Sequence, residues 1–126
     1  MHKEILTKQQ VALLPMVKAF NKDFYLVGGT AIALHIGHRR SIDFDMFSYK
    51  SFRNVVLRKK IKIFSNIDRE IVNQPGELTF LCGEVKFTFY NYPFDIEYGE
   101  SFENIVKMPD LLTLAAMKAH ALAGRA

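Results

Sequence analysis

The sequence predicts one α+β domain, a mixed, largely antiparallel sheet backed by helices. Three observations point to it. Residues 41–46 alternate strictly between polar and apolar, the period of a half-buried strand. Residues 67–90 hold three short strand-like runs parted by Pro75-Gly76 and Gly83-Glu84, which read as turns. The chain has 126 residues, 49% of them hydrophobic, which is room for a single domain with a moderate core.

The elements follow in order. Thr7 to Phe20 reads as an amphipathic helix, opened by a capping box of Thr7 and Gln10. Pro15 lies inside it and either kinks it or delays its start. Phe24–Val27 is a short buried strand that Gly28-Gly29 interrupts. Thr30–Ile36 is a short helix closed by Gly37 as a C-terminal glycine. Residues 42–47 form the alternating strand: Ile42, Phe44 and Met46 on one face, Ser41, Asp43 and Asp45 on the other. A helix over 51–64 follows, then strands over 67–73, 77–82 and 85–90. A short extended piece near Ile105 precedes a last helix from Pro109 to Ala123. No repeat, low-complexity segment or linker divides the chain.

Composition narrows the function classes. No run of eighteen apolar residues is present, so no membrane span or membrane partner is expected. The polar N-terminus lacks the apolar stretch of a signal peptide. The single cysteine, Cys82, cannot form an internal disulfide, sits in an apolar run and fits a reducing cytosol. A cytoplasmic protein is therefore expected. The four histidines show no zinc-ligand spacing. The net charge is +4, and the basic residues cluster at His38-Arg39-Arg40 and at Arg53, Arg58, Lys59, Lys60 and Lys62. The second cluster reads as the solvated face of a helix, with a phosphate-landing surface as the alternative.

The chemistry concentrates in two short motifs. Asp43 and Asp45 are spaced i, i+2, so in a strand they share a face with Cα atoms about 6.5–7 Å apart. Two carboxylates so placed converge on Mg²⁺ (or Mn²⁺), which favours carboxylate and phosphate oxygens. Upstream, Gly28-Gly29-Thr30 ends a strand and starts a helix. Glycines let the backbone approach a ligand, and a helix start offers free N–H groups to a phosphate. Each motif alone is common as an ordinary turn or an acidic strand face; together they suggest metal-assisted chemistry on a polyphosphate. Arg40 and Ser41 lead directly into the acidic strand and join Gly28, Gly29 and Thr30 as candidate nucleotide-binding residues.

The run Phe24 to Phe47, with Val27-Gly28-Gly29-Thr30 and Asp43-Phe44-Asp45 in it, resembles the signature of the AbiEii/AbiGii toxin family. That family is a branch of the nucleotidyltransferase superfamily with a DNA polymerase beta-like fold. A looser likeness extends to Val85–Pro93 and Pro109–Arg125. The resemblance implies a nucleotidyltransferase-like domain over 1–126, short at its C-terminus relative to the family. It implies a nucleoside triphosphate cradled on Gly28, Gly29 and Thr30, with Asp43 and Asp45 as catalytic metal ligands. It implies a toxin of a toxin–antitoxin pair, an antitoxin protein as partner, and an RNA such as tRNA as acceptor.

Two departures qualify it. The superfamily's usual third carboxylate falls at Thr88, on the polar face Lys86, Thr88 and Tyr90 of the strand 85–90. A hydroxyl is a poor metal ligand and no general base near neutrality. A non-catalytic nucleotide-binding or regulatory module is therefore the alternative. The second departure is the end of the chain: in the family this last run continues into further charged residues and more helices, and here it stops at Ala126. Within it, Lys118 falls on the helical stripe Leu111, Leu114, Ala115 and Leu122. Resemblance makes it the lysine that enters the active site. Its stem is then expected to be buried, with the amine on Asp43, Asp45 or another nearby acid. Arg125 would share that face.

Overall fold

A computed structural model of the chain describes residues 1–38 and 41–123. Thr7 and Gln10 form the expected capping box: Gln10 N donates to Thr7 Oγ1 at 3.1 Å, and Thr7 N to Gln10 Oε1 at 3.0 Å. The helix they open is divided. α1 covers Lys8–Ala12 and α2 covers Leu14–Ala19, with Pro15 in its first turn. Proline is tolerated there because the first N–H groups of a helix have no intrahelical acceptor.

The remaining elements are β1 (Tyr25–Val27), α3 (Gly28–Ile36), β2 (Asp43–Ser48), α4 (Asn54–Phe64), β3 (Arg69–Gln74), β4 (Glu77–Cys82), β5 (Val85–Asn91), β6 (Glu100–Phe102), β7 (Val106–Met108) and α5 (Leu111–Ala123). α3 starts at Gly28 rather than Thr30, and α4 at Asn54 rather than 51. The extended piece near Ile105 is a separate hairpin of β6 and β7, with Ile105 in its turn. Ile42 is 53% exposed and precedes β2, so it does not share the buried face of Phe44 and Met46.

The main sheet has the order β1-β2-β5-β4-β3. Only β2 and β5 run parallel; the other three adjacent pairs are antiparallel. The α+β class and the largely antiparallel sheet are thus as the sequence predicts. One face of the sheet is apolar because alternate residues of each strand are: Phe44 and Met46 from β2, Leu78, Phe80 and Cys82 from β4, Val85, Phe87 and Phe89 from β5. Phe20 and Phe24 each place a ring 4.9 Å from Phe89. Burial of each such ring stabilises the fold by on the order of 2 kcal/mol. α4 adds Leu57 and Ile61 to the core and is tied to the end of α2 by Lys60, whose Nζ donates to Ala19 O at 2.7 Å. Burial raises the pKa of the Cys82 thiol, which suits a packing role. No helix among the described residues is long and apolar enough to cross a membrane.

Candidate active site

The polar face of the sheet centre is written in three rungs. The parallel register of β2 and β5 sets Asp43 across from Lys86, Asp45 across from Thr88, and Phe47 across from Tyr90. Successive rungs lie about 6.6 Å apart along the strands. The face thus passes from an ion pair, through a carboxylate and a hydroxyl, to an aromatic pair. The Lys86 ammonium lies 3.7 Å from Asp43 Oδ2, with both side chains partly exposed. The Thr88 hydroxyl lies 3.2 Å from that of Thr79 on β4. Thr88 therefore occupies the face expected for a third acid and supplies a shared hydroxyl there.

The turn from β1 into α3 is built against the middle rung. Gly28 has φ of +77°, a left-handed conformation that L side chains rarely adopt. A β-carbon at Gly28 would also collide with Asp45 Oδ2 and lie 3.1 Å from its Cγ. Glycine is required on both counts, and its absence of a side chain lets the Asp45 carboxylate rest on the start of α3. A β-carbon at Gly29 would come 3.4 Å from Ser41 Oγ, which itself accepts from Asp43 N at 3.4 Å. Ser41 thus packs between the turn and the acidic strand.

Thr30 is 1% exposed, and its hydroxyl donates inward to Asp43 O. Gln10 Nε2, also buried, lies 3.3 Å from the same carbonyl and 3.4 Å from Thr30 Oγ1. The Thr30 side chain is therefore committed to holding the acidic strand. Any contact it makes with a phosphate goes through its backbone N–H, which lies in the first turn of α3.

Gly28, Gly29, Asp45 and Lys118 line one cavity of about 540 Å³. Its remaining walls include Phe47, Tyr90, Tyr92, Phe94 and His120. Asp43 lies outside this lining, at the Lys86 rung. The Asp45 carboxyl is pushed up to about 6, first by burial, then by the negative charge of Asp43, with Lys86 opposing the rise. A divalent cation would relieve that crowding, and two hard carboxylates beside the Gly28-Gly29 turn are donors of the kind Mg²⁺ or Mn²⁺ takes. Among the described residues no group of three or more His, Cys, Asp or Glu side chains is placed to hold a metal. Two carboxylates alone would leave most of a divalent cation's coordination positions to oxygens from outside the protein.

Lys118 departs from expectation. It reaches the cavity but is exposed, and the ammonium paired with Asp43 is that of Lys86. The cause is how α5 docks. His35 Nε2 donates to Pro109 O at 3.0 Å, and Leu114 and Met117 pack inward. Leu111, Ala115 and Leu122, expected beside Leu114 on the buried stripe, are exposed. Arg40 and Arg125 lie outside the described residues. In the basic stretch of α4, Arg58 bonds Glu70 at 2.7 Å and Lys60 bonds Ala19, so both serve the fold.

Lys86, Thr88 and Tyr90 share one face as the sequence predicts, whereas the Asp43–Lys86 pair and the aromatic wall appear only in the folded chain. The signal for both was the strand-order step from β2 to β5, which no local pattern encodes.

The family model described as "Nucleotidyl transferase AbiEii toxin, Type IV TA system" matches residues 13–94. The chain belongs to the AbiEii family. The matched residues run from the start of α2 past the end of β5 and include the Gly28-Gly29 turn, both aspartates and Thr88. The chain is also 34% identical over 131 residues to an uncharacterized protein, aq_aa25, of Aquifex aeolicus (strain VF5). The alignment covers 95% of this AbiEii chain and 61% of that relative. No solved structure matches the chain.

Proposed function

We propose that this AbiEii chain transfers a nucleotidyl group from a nucleoside triphosphate to an acceptor hydroxyl, as the toxin of a toxin–antitoxin pair. One observation carries the reading: the Asp45 carboxylate is held against the Gly28-Gly29 turn, at a cavity that Lys118 also lines. Metal and phosphate would then meet in one place. The N–H groups of the first turn of α3 bind triphosphate oxygens, helped by the positive end of the helix dipole. Asp43 and Asp45 would hold Mg²⁺ or Mn²⁺, which would supply charge neutralisation at the reacting phosphate. The exposed Lys118 ammonium swings over the phosphates as pyrophosphate departs. Attack of the acceptor hydroxyl on the α-phosphorus forms the new P–O bond and breaks the bond to pyrophosphate. RNA, tRNA included, is the proposed acceptor, and an antitoxin protein the proposed partner.

The hydroxyl of Thr88 at the third-acid place supports a second reading, a nucleotide-binding module without transfer. Incubation with each α-labelled triphosphate, Mg²⁺ and total RNA separates the two. The transferase labels RNA, and Asp43→Asn and Lys118→Met reduce labelling at least tenfold without lowering thermal stability. Triphosphate binding with no labelled product on any acceptor sinks the transferase and leaves the binding module.

A further inference from the structure

The same cavity carries a second kind of surface, for which phosphate and metal chemistry have no use. Beyond Asp45, the strand face turns aromatic at the Phe47–Tyr90 rung, ring centroids 5.3 Å apart. Tyr92 continues it, 5.1 Å from Phe47. Phe94 follows at 5.1 Å from Tyr92 in an edge-on arrangement, and His120 of α5 lies edge-on 5.8 Å from Phe94. Phe47 and Tyr92 stack face to face, whereas Tyr90 meets Phe47 at a tilt and Phe94 meets its neighbours edge-on, contacts that leave ring faces of Tyr90 and Phe94 open. Phe94 is 52% exposed and Tyr90 37%, so both rings at this wall are open to solvent.

Exposed aromatic faces beside a phosphate site suit a planar, weakly hydrated, aromatic ligand. Such stacking is worth enough to decide binding and tolerates any base, since each has a π-face. The position along the strand fits as well. Phe47 stands one rung, about 6.6 Å, beyond Asp45, so a ligand with its phosphate at the turn reaches the rings across a sugar. A volume of about 540 Å³ holds one small-molecule ligand of nucleotide size, so base and phosphate belong to the same molecule.

We infer that the wall of Tyr90, Tyr92 and Phe94 is the nucleobase subsite, on which the base of the bound triphosphate stacks. The inference rests on the proposed triphosphate site and goes beyond it by assigning the base end. Recognition by ring faces alone also makes the subsite weakly selective among the four bases.

The test compares affinity for a nucleoside triphosphate with that for inorganic tripolyphosphate, both with Mg²⁺, by titration calorimetry. Tyr90→Leu and Phe94→Leu keep apolar bulk at exposed positions, and circular dichroism verifies folding. Each should weaken triphosphate binding about tenfold and leave tripolyphosphate binding unchanged. Tyr90→Phe and Phe94→Tyr, which retain a ring, should restore wild-type affinity. If wild-type protein binds tripolyphosphate as tightly as the nucleotide, or if the leucine variants bind nucleotide normally, the subsite is overturned and the phosphate site stands. If neither ligand binds, the phosphate site falls and the subsite with it. If the variants lose affinity only for a short unphosphorylated RNA, the wall serves the acceptor and the assignment to the triphosphate is wrong.

Discussion

On the Gly28–Asp45 side of the cavity the polar groups have fixed partners, whereas α5 on the other side buries only Leu114. Thr30 and Gln10 converge on the Asp43 carbonyl, Ser41 bonds the Asp43 amide, and Asp45 rests on Gly28, where any side chain would be strained. α5 presents Leu111, Leu112 and Leu122 to solvent and reaches the cavity with an exposed lysine. The difference assigns roles. On the proposed function, the sheet side would set the positions of metal and phosphate within narrow limits, as electrostatic catalysis requires of preorganised groups. The helix side contributes charge on a long, adjustable arm.

The strongest way to break this comparison is Gly28→Ala. A left-handed backbone costs a β-carbon about 1–2 kcal/mol, and the collision with Asp45 adds a similar amount. We expect a thermal melt to show a loss of about 3 kcal/mol, with Mg²⁺-dependent nucleotide binding abolished. A variant that melts like wild type and binds normally would show that the turn is not rigid.

Asp45→Asn comes next and reads through pH. The folded carboxyl titrates at about 6 and the unfolded one near 4. Between those values the native state keeps a proton that the unfolded chain has released. Stability therefore falls as pH rises through this window and is level above it. The amide removes the charge and its penalty. The variant should be more stable than wild type by on the order of 2 kcal/mol at pH 7, and about equal at pH 4. Parallel stability–pH curves for the two proteins would show that Asp45 is not crowded.

The smallest effect belongs to α5. Leu112 is 81% exposed, so Leu112→Ser should change stability by less than about 0.5 kcal/mol in a urea titration. A loss of more than about 1 kcal/mol would mean that the helix is packed on both faces, and the contrast between the two sides would disappear.

These two sides also differ in how far they could be read from the residues alone. The Asp43–Asp45 spacing, the Gly28-Gly29 break and the Gly37 stop are local patterns, and each element they predict is present. The partner of Asp43 is not local: Lys86 reaches it only because β5 inserts beside β2, ahead of its sequence neighbour β4. The face of α5 was misread because its apolar residues run around the helix. Leu111, Leu112, Leu114, Ala115, Met117 and Leu122 offer several stripes of similar quality, and the docking through His35 and Pro109 chooses among them. At Thr30 a hydroxyl after two glycines suits either a ligand contact or a hydrogen bond within the fold. It bonds inward to Asp43 O, beside Gln10 Nε2 from twenty residues earlier, a pairing that no local pattern encodes.

The parallel pairing of β2 with β5 also orders events in time. β3, β4 and β5 are joined by tight turns and can zip as successive hairpins within a short stretch of chain. Asp43 and Lys86 pair only when a loop of about forty residues closes, which costs more chain entropy. Chain entropy thus favours a pathway in which the acidic strand joins a meander already formed. During synthesis the two aspartates leave the ribosome well before the strand that positions them. A nascent chain carries both carboxylates but no completed site, so whatever activity the fold supports begins only after β5 has emerged and docked.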